Sequence, residues 1–320
     1  MSEREGLGIR GSGPGAPGCR AQRASASPAA GDAHAVSVAE LLAELTVALG
    51  EAGVPDARDE ARDMIAALLD VPRFWPTANR DAVVDPACRA SALAAVSRRA
   101  SGAPFAYAVG RSAFRHLTLD VDERVLIPRQ ETEVLVDLVL EETGGGDGGT
   151  IADVGTGSGA IALALATEGR FDRVIATDVS LDALAVARRN ADHLAGALRA
   201  AVELRHGSLL APLAGERGLR AIVSNPPYIA YGEAVALPAS VRDWEPALAL
   251  YSGDNGMAAT AAIVAGAAPL LALGGLLALE VDARRASLAA ELCLADGRYR
   301  DVAVRLDLTG RERFVLARRL

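Results

Sequence analysis

A chain of 320 residues, 51% hydrophobic and 23% charged, is long and apolar enough for one large domain or two ordinary ones, each with a packed core. A formal net charge of −8 weighs against the broad phosphate-binding footprint of a DNA or RNA partner. The apolar stretch closest to a membrane span, Ala258–Leu279, is broken by glycines and a proline, so no membrane partner is expected.

All 33 basic residues are arginine, which excludes Schiff-base and serine–lysine chemistry. The three cysteines (Cys19, Cys88, Cys293) and four histidines (His34, His116, His193, His206) are scattered, so neither a disulfide framework nor a metal site is expected. A reducing, cytoplasmic setting fits that usage.

Residues 1–35 are mostly Gly, Ala, Ser, Pro and Arg, too poor in large apolar side chains to offset the entropy of ordering them, and read as a disordered tail. From Val36 the pattern is helical. Leu41, Leu42, Leu45 and Leu49 recur at helical spacing, residues 57–69 follow the start signal Pro55-Asp56, and residues 86–99 follow Asp85 as N-cap. The runs Ala106–Val109 and Leu117–Val121 read as a β-hairpin. Val125-Leu126-Ile127-Pro128 then leads into a helix over about 131–142, and the glycines of 144–149 form a loop or hinge.

Beyond Thr150, strands at 150–154, 173–177, 201–205 and 220–224 alternate with helices at 158–168 and 181–194. That alternation predicts a parallel sheet covered on both faces. The stretch Ala258–Leu279, broken by Gly266, Pro269, Gly274 and Gly275, reads as a helix, a turn and a buried strand at 275–280. A helix over 284–295 and two runs, 301–306 and 312–317, close the chain as an antiparallel edge turning at Thr309-Gly310.

Two motifs carry chemistry. Ile151-Ala152-Asp153-Val154-Gly155-Thr156-Gly157-Ser158-Gly159 is a strand entering a glycine turn and then a helix, where the missing Cβ atoms let a ligand lie on the backbone. Asp178 ends the next strand, where a carboxylate accepts from both ribose hydroxyls. The GxGxG spacing favours S-adenosylmethionine over a dinucleotide. The second motif, Ile222-Val223-Ser224-Asn225-Pro226-Pro227-Tyr228, places a stiff corner at the carboxyl edge of the sheet. The Asn225 side-chain oxygen and the Pro226 carbonyl can accept both N–H bonds of a planar NH2 group and aim its lone pair, with Tyr228 as an aromatic wall.

On these residues the chain resembles the protein-(glutamine-N5) methyltransferases that modify peptide-chain release factors. The likeness runs from about Val36 to the end of the chain. It includes Arg98-Arg99-Ala100 through Gly110, Leu126-Ile127-Pro128-Arg129-Gln130-Glu131-Thr132-Glu133, Asp153 to Gly159, Ser224 to Tyr228, and Asp243 to Pro246 with Gly256-Met257. The resemblance implies an α/β, Rossmann-like class I S-adenosylmethionine-dependent methyltransferase domain over 125–320. A linking β-hairpin over 105–124 would join it to a helical substrate-binding domain over 36–104.

By the same resemblance, Asp153, Gly155, Thr156, Gly157, Ser158, Gly159 and Asp178 hold the cofactor, with Ser208 and Leu209 near its adenine and Asn225 beside it. Asn225, Pro226, Pro227 and Tyr228, with Arg129 and Thr132, hold the glutamine of a Gly-Gly-Gln tripeptide, and Asn225, Pro226 and Tyr228 are the catalytic set. The implied partner is a release factor, bound by a monomer without direct nucleic-acid contact. Gln130, Ser208 and Asp282 depart from the family's usual Pro, Asp and Gly. Because Asn-Pro-Pro-Tyr also serves exocyclic adenine amines, the alternative is an N-methyltransferase acting on nucleic acid or a small-molecule amine or amide. A non-catalytic binding protein is the third reading, opposed by the intact glycine turn, Asp178 and Asn225.

Overall fold

Ser37 starts the first helix as the sequence directs. Its hydroxyl accepts from the Glu40 N–H at 3.2 Å while the Glu40 carboxylate accepts from the Ser37 N–H at 2.8 Å. In this computed structural model, which describes residues 19, 21–22, 35–145 and 148–320, the chain divides into two units, Met1–Val109 and Gly110–Leu320.

The first unit contains β1 (Ala21–Gln22), β2 (Val36–Ser37), α1 (Val38–Glu51), α2 (Ala57–Leu69), the single turn α3 (Trp75–Ala78), β3 (Val83–Val84), α4 (Pro86–Ala100) and α5 (Phe105–Val109). Leu41, Leu45 and Leu49 of α1 are fully buried against Met64 and Ile65 of α2 and Ala92 of α4. Each buried leucine contributes about 2 kcal/mol. The expected helices are therefore present, and Asp85 caps α4 by accepting from the Cys88 N–H at 2.6 Å.

Two expectations meet corrections here. Within the segment read as a tail, Ala21–Gln22 pair antiparallel with Val83–Val84, and the remainder, apart from Cys19 and Ala35, lies outside the described residues. Ala106–Val109, read as a strand, lies within the helix α5. Pro104 stands before that helix with its carbonyl accepting from the Ala108 N–H, and Gly110 ends it at φ +74°, so the local punctuation outweighs the alternating pattern.

In the second unit the hairpin is β4 (Arg111–Phe114) with β5 (Leu117–Asp120), followed by α6 (Gln130–Glu142). The chain then runs through β6 (Thr150–Val154), α7 (Ala160–Glu168), β7 (Arg173–Asp178), α8 (Leu181–His193), β8 (Ala201–His206) and β9 (Leu219–Ser224). After β9 come β10 (Ile229–Ala230), the one-turn helices α9 (Ala239–Arg242) and α10 (Ala247–Leu250), β11 (Tyr251–Ser252) and the turn α11 (Gly253–Gly256). The unit closes with α12 (Ala258–Ala267), β12 (Leu271–Glu280), α13 (Ala286–Asp296), β13 (Tyr299–Leu306) and β14 (Glu312–Arg319).

Seven strands form one sheet in the order β13-β14-β12-β9-β6-β7-β8. Only β14 runs against the rest, inserted between β12 and β13, so the antiparallel closing pair is as expected but its outermost strand is again parallel to the centre. Alternate strand residues bury to opposite faces. Ile151, Val174, Ala221 and Val223 face one core with α7, while Ala152, Ile175, Ile222 and Leu279 face the other with α12 and α13. This is the α/β Rossmann-like methyltransferase architecture that the resemblance implies. From β6 the chain winds outward through β7 and β8, then returns to place β9 on the other side of β6. Ligands of open α/β sheets bind at the carboxyl ends of strands flanking such a switch.

Candidate active site

The register Val154↔Ser224 makes Gly155 and Asn225 the next residues of two neighbouring parallel strands. Adjacent strands lie about 4.8 Å apart, so the glycine turn and the Asn-Pro-Pro-Tyr corner leave the sheet side by side. Ser224 ties them together below by donating its hydroxyl to the Val154 carbonyl at 2.6 Å.

The glycine turn is held from beneath by carboxylates. Asp153 is fully buried, and one of its oxygens accepts from the Thr156 hydroxyl at 2.6 Å and from the Ala162 N–H at 3.1 Å. Its other oxygen is buried with no hydrogen bond, and burial pushes the carboxyl up to about 7. Asp178 accepts from the Gly157 N–H at 2.8 Å and, through its second oxygen, from the Ser180 N–H at 2.9 Å. Gly155 and Gly157 adopt φ +78° and +56°, and a Cβ on either would meet no atom within 4 Å. At Gly159 a Cβ would press on Leu163 at 3.0 Å, so this third glycine serves helix packing. An open backbone strip, an adjacent carboxylate and a spare buried acceptor are what a ligand with a ribose diol and a polar tail fits.

Beyond the turn, Thr177 donates its hydroxyl to the Leu209 carbonyl at 3.4 Å, which sets the Ser208-Leu209 bend at the end of β8 beside β7. Leu209 takes φ +46° and Ser208 is exposed.

On the other strand, Asn225 is half-buried, and its Nδ2 donates to the Thr132 hydroxyl oxygen at 3.1 Å. Thr132 in turn donates to Glu280 Oε2 at 2.7 Å. Glu280 is 1% exposed, and burial raises its carboxyl to about 7 despite the Thr132 hydrogen bond and the nearby Arg313. Burial, reinforced by the Glu280 charge, pushes the Tyr228 phenol up to about 12, so it stays protonated near neutrality.

In front of Asn225 opens a cavity of about 620 Å³, lined among others by Arg129, Pro226, Tyr228, Asp282 and Arg313. Of the expected substrate residues, Thr132 and Pro227 do not line it. Arg129 does, and its guanidinium meets the buried Glu245 carboxylate at 2.5 Å. Gln130 opens α6, and Asp282 pairs with Arg284 at 2.8 Å on the cavity wall.

Several residues in this network carry no local sign of it. Asn190 of α8 is buried, donates to the Ser158 and Asp120 carbonyls at 2.9 and 3.0 Å and accepts from the Asp120 N–H at 2.7 Å, joining the glycine turn to the hairpin. Gly256 takes φ +87°, and a Cβ there would stand 2.2 Å from the Tyr228 carbonyl oxygen. Arg285 closes this clamp by donating to the Asn255 carbonyl at 2.6 Å and to Glu233 at 2.9 Å. Glu233 also accepts from the Ala230 N–H at 3.1 Å. Glu280 has a readable signal as a lone acid ending an apolar strand, and Gly256 has one as part of the resemblance.

The doubly wound sheet with a glycine turn and an Asn-Pro-Pro-Tyr corner at its switch point defines a methyltransferase. The family model of the methyltransferase small domain accordingly matches residues 129–239, and that of the PrmC N-terminal domain matches residues 40–110. Among curated proteins, the release factor glutamine methyltransferase of Moorella thermoacetica is 42% identical over 284 residues, covering 89% of this chain and 99% of that one. Its counterpart from Deinococcus radiodurans is 41% identical over 281 residues, with coverages of 88% and 98%. That of Mycolicibacterium smegmatis is 40% identical over 275 residues, with coverages of 86% and 95%. The chain belongs to the release factor glutamine methyltransferase family.

Proposed function

We propose that this protein transfers a methyl group from S-adenosylmethionine to the side-chain amide nitrogen, N5, of the glutamine in the Gly-Gly-Gln motif of a peptide-chain release factor. The observation that carries this reading is the adjacency of the glycine turn and the Asn225 corner across the β6–β9 pair, with a cavity opening from the latter. Asp178 holds the ribose diol, and Gly155 and Gly157 let the donor lie on the backbone, with Asp153 and Thr156 keeping the turn in shape. Ser208 and Leu209 border the adenine.

The bound donor supplies an electrophilic methyl carbon on a sulfonium whose departure needs no acid. What remains for the protein is orientation. An amide nitrogen is a weak nucleophile because its lone pair is shared with the carbonyl. Asn225 Oδ1 and the Pro226 carbonyl accept its two N–H bonds and turn the lone pair toward the methyl, in positions fixed before the substrate arrives. Tyr228, held as a neutral phenol, walls the glutamine and excludes water instead of acting as a base. The proton released from nitrogen leaves through these carbonyl acceptors to solvent.

The helical domain over about residues 36–104 contacts the release factor surface, and the protein works as a monomer in the cytoplasm where release factors act. Among the described residues no helix is long and apolar enough to cross a membrane. Mass spectrometry of a co-expressed release factor tests the reading. One added methyl on the Gly-Gly-Gln peptide is expected with this protein and none with Asn225→Ala. An unmodified peptide with the intact protein overturns it.

A further inference from the structure

A threonine hydroxyl has one hydrogen to give, and that of Thr132 is directed to Glu280 at 2.7 Å. Its oxygen can then face Asn225 only as an acceptor, so only the NH2 end of the Asn225 amide can satisfy it, as the 3.1 Å contact from Nδ2 reflects. The carbonyl end of the amide is thereby left over, and among the described residues it accepts no hydrogen bond. The reverse orientation would set two lone-pair oxygens against each other in a buried place. We infer that Glu280 and Thr132 are positioning residues that act through Asn225, fixing its amide so that Oδ1 rather than Nδ2 is presented to the substrate NH2 group. This deepens the proposed function and rests on its assignment of Asn225 as the acceptor. It gives Thr132 a place behind Asn225 in place of a direct hold on the substrate.

The polarity of the relay depends on an ionised Glu280. A protonated Glu280 can donate to Thr132, which frees the Thr132 hydrogen to turn toward Asn225 and admits the reversed amide. The groups facing Glu280 are Arg313 on β14, Arg129 and Glu131 at the start of α6, and the Tyr228 phenol; the two arginines favour ionisation and Glu131 opposes it. Since burial holds the Glu280 carboxyl near 7, the relay loses its direction as pH falls through that value.

The test uses the full-length protein with Thr132→Val, Thr132→Ser and Glu280→Gln, and reads three quantities. With a release factor as substrate, Thr132→Val lowers kcat about 10- to 100-fold at nearly constant KM and donor affinity, and Thr132→Ser recovers most of the loss. The wild-type kcat falls as pH drops through about 7, and both Thr132→Val and Glu280→Gln abolish that limb. Independently of activity, the Asn225 side-chain NH2 resonances, assigned by asparagine-selective ¹⁵N labelling against Asn225→Ala, shift with a midpoint near 7 in the wild type and not in either variant. Thr132→Val with wild-type kcat and pH profile, Thr132→Ser no better than Thr132→Val, or Asn225 resonances indifferent to both substitutions each overturn the inference. An inactive wild type whose Asn225 resonances still follow Thr132 and Glu280 overturns the proposed substrate while leaving the relay standing.

Discussion

The two corners of the site leave neighbouring strands of one sheet, yet they are built in different ways. The glycine turn is a backbone object: its surface is N–H groups and missing Cβ atoms, and the side chains beneath it, Asp153 and Asp178, act by gripping backbone amides. The Asn-Pro-Pro-Tyr corner is a side-chain object, stiffened by proline and supported by Thr132, Glu280 and the Gly256 seat. A pocket for a donor with a constant shape can be made from backbone, whereas recognition of one amide needs a side chain whose two ends are told apart.

This contrast is sharpest in Asn225→Ala, which removes an acceptor without touching the turn. Methyl transfer should fall about 1000-fold while donor affinity by calorimetry stays within about twofold. Equal loss of both would erase the distinction. Asp178→Ala should do the converse, weakening donor binding about 100-fold because the ribose acceptor and the support of Gly157 disappear together. An unchanged dissociation constant would show that the turn holds itself.

Gly256→Ala attacks the corner from behind. A Cβ 2.2 Å from the Tyr228 carbonyl forces the backbone to move, and the positive φ adds strain. A loss of about 2 kcal/mol in unfolding free energy and a raised KM for the release factor are expected, with donor affinity little affected.

The smallest effect is on stability against pH. In the fold Glu280 titrates near about 7 rather than its ordinary 4.5, so its contribution to stability is complete below about pH 4.5 and is lost as pH rises through 7. Asp153, raised from 3.8 to about 7, behaves the same way. Glu280→Gln should therefore lessen, without abolishing, the decline in Tm from pH 4.5 to pH 7. An identical decline in both proteins would mean that Glu280 carries none of it.

Sequence made the turn and the corner legible because each is a contiguous run. Strand, glycines and helix follow one another from Ile151 to Ala160, and Asp178 closes the very next strand. The strand–helix alternation and the order of the closing elements were legible for the same reason. The support of the corner was not: Thr132 meets Asn225 across 93 residues of chain and Glu280 across 148, and no local pattern encodes such pairings. Asn190 is likewise an ordinary polar residue on a helix until the fold brings Asp120 and Ser158 to it. Ala106–Val109 failed differently, since its short alternation fits a strand while Pro104 and Gly110 punctuate a helix.

About half of the residues lining the cavity come from residues 229–252, an insertion between β9 and α12 that hangs from the two-residue ladder of β10 and β11. Tyr231, stacked on Tyr251 with ring centres 5.6 Å apart, and Val235 and Leu248 turn exposed apolar surface outward from this insertion. It includes no residue of the glycine turn and none of the Asn225 relay. This half of the cavity lining and the two sheet corners are thus carried on separate pieces of chain, so exchange of the insertion should reshape the cavity while leaving the glycine turn and Asn225 in place.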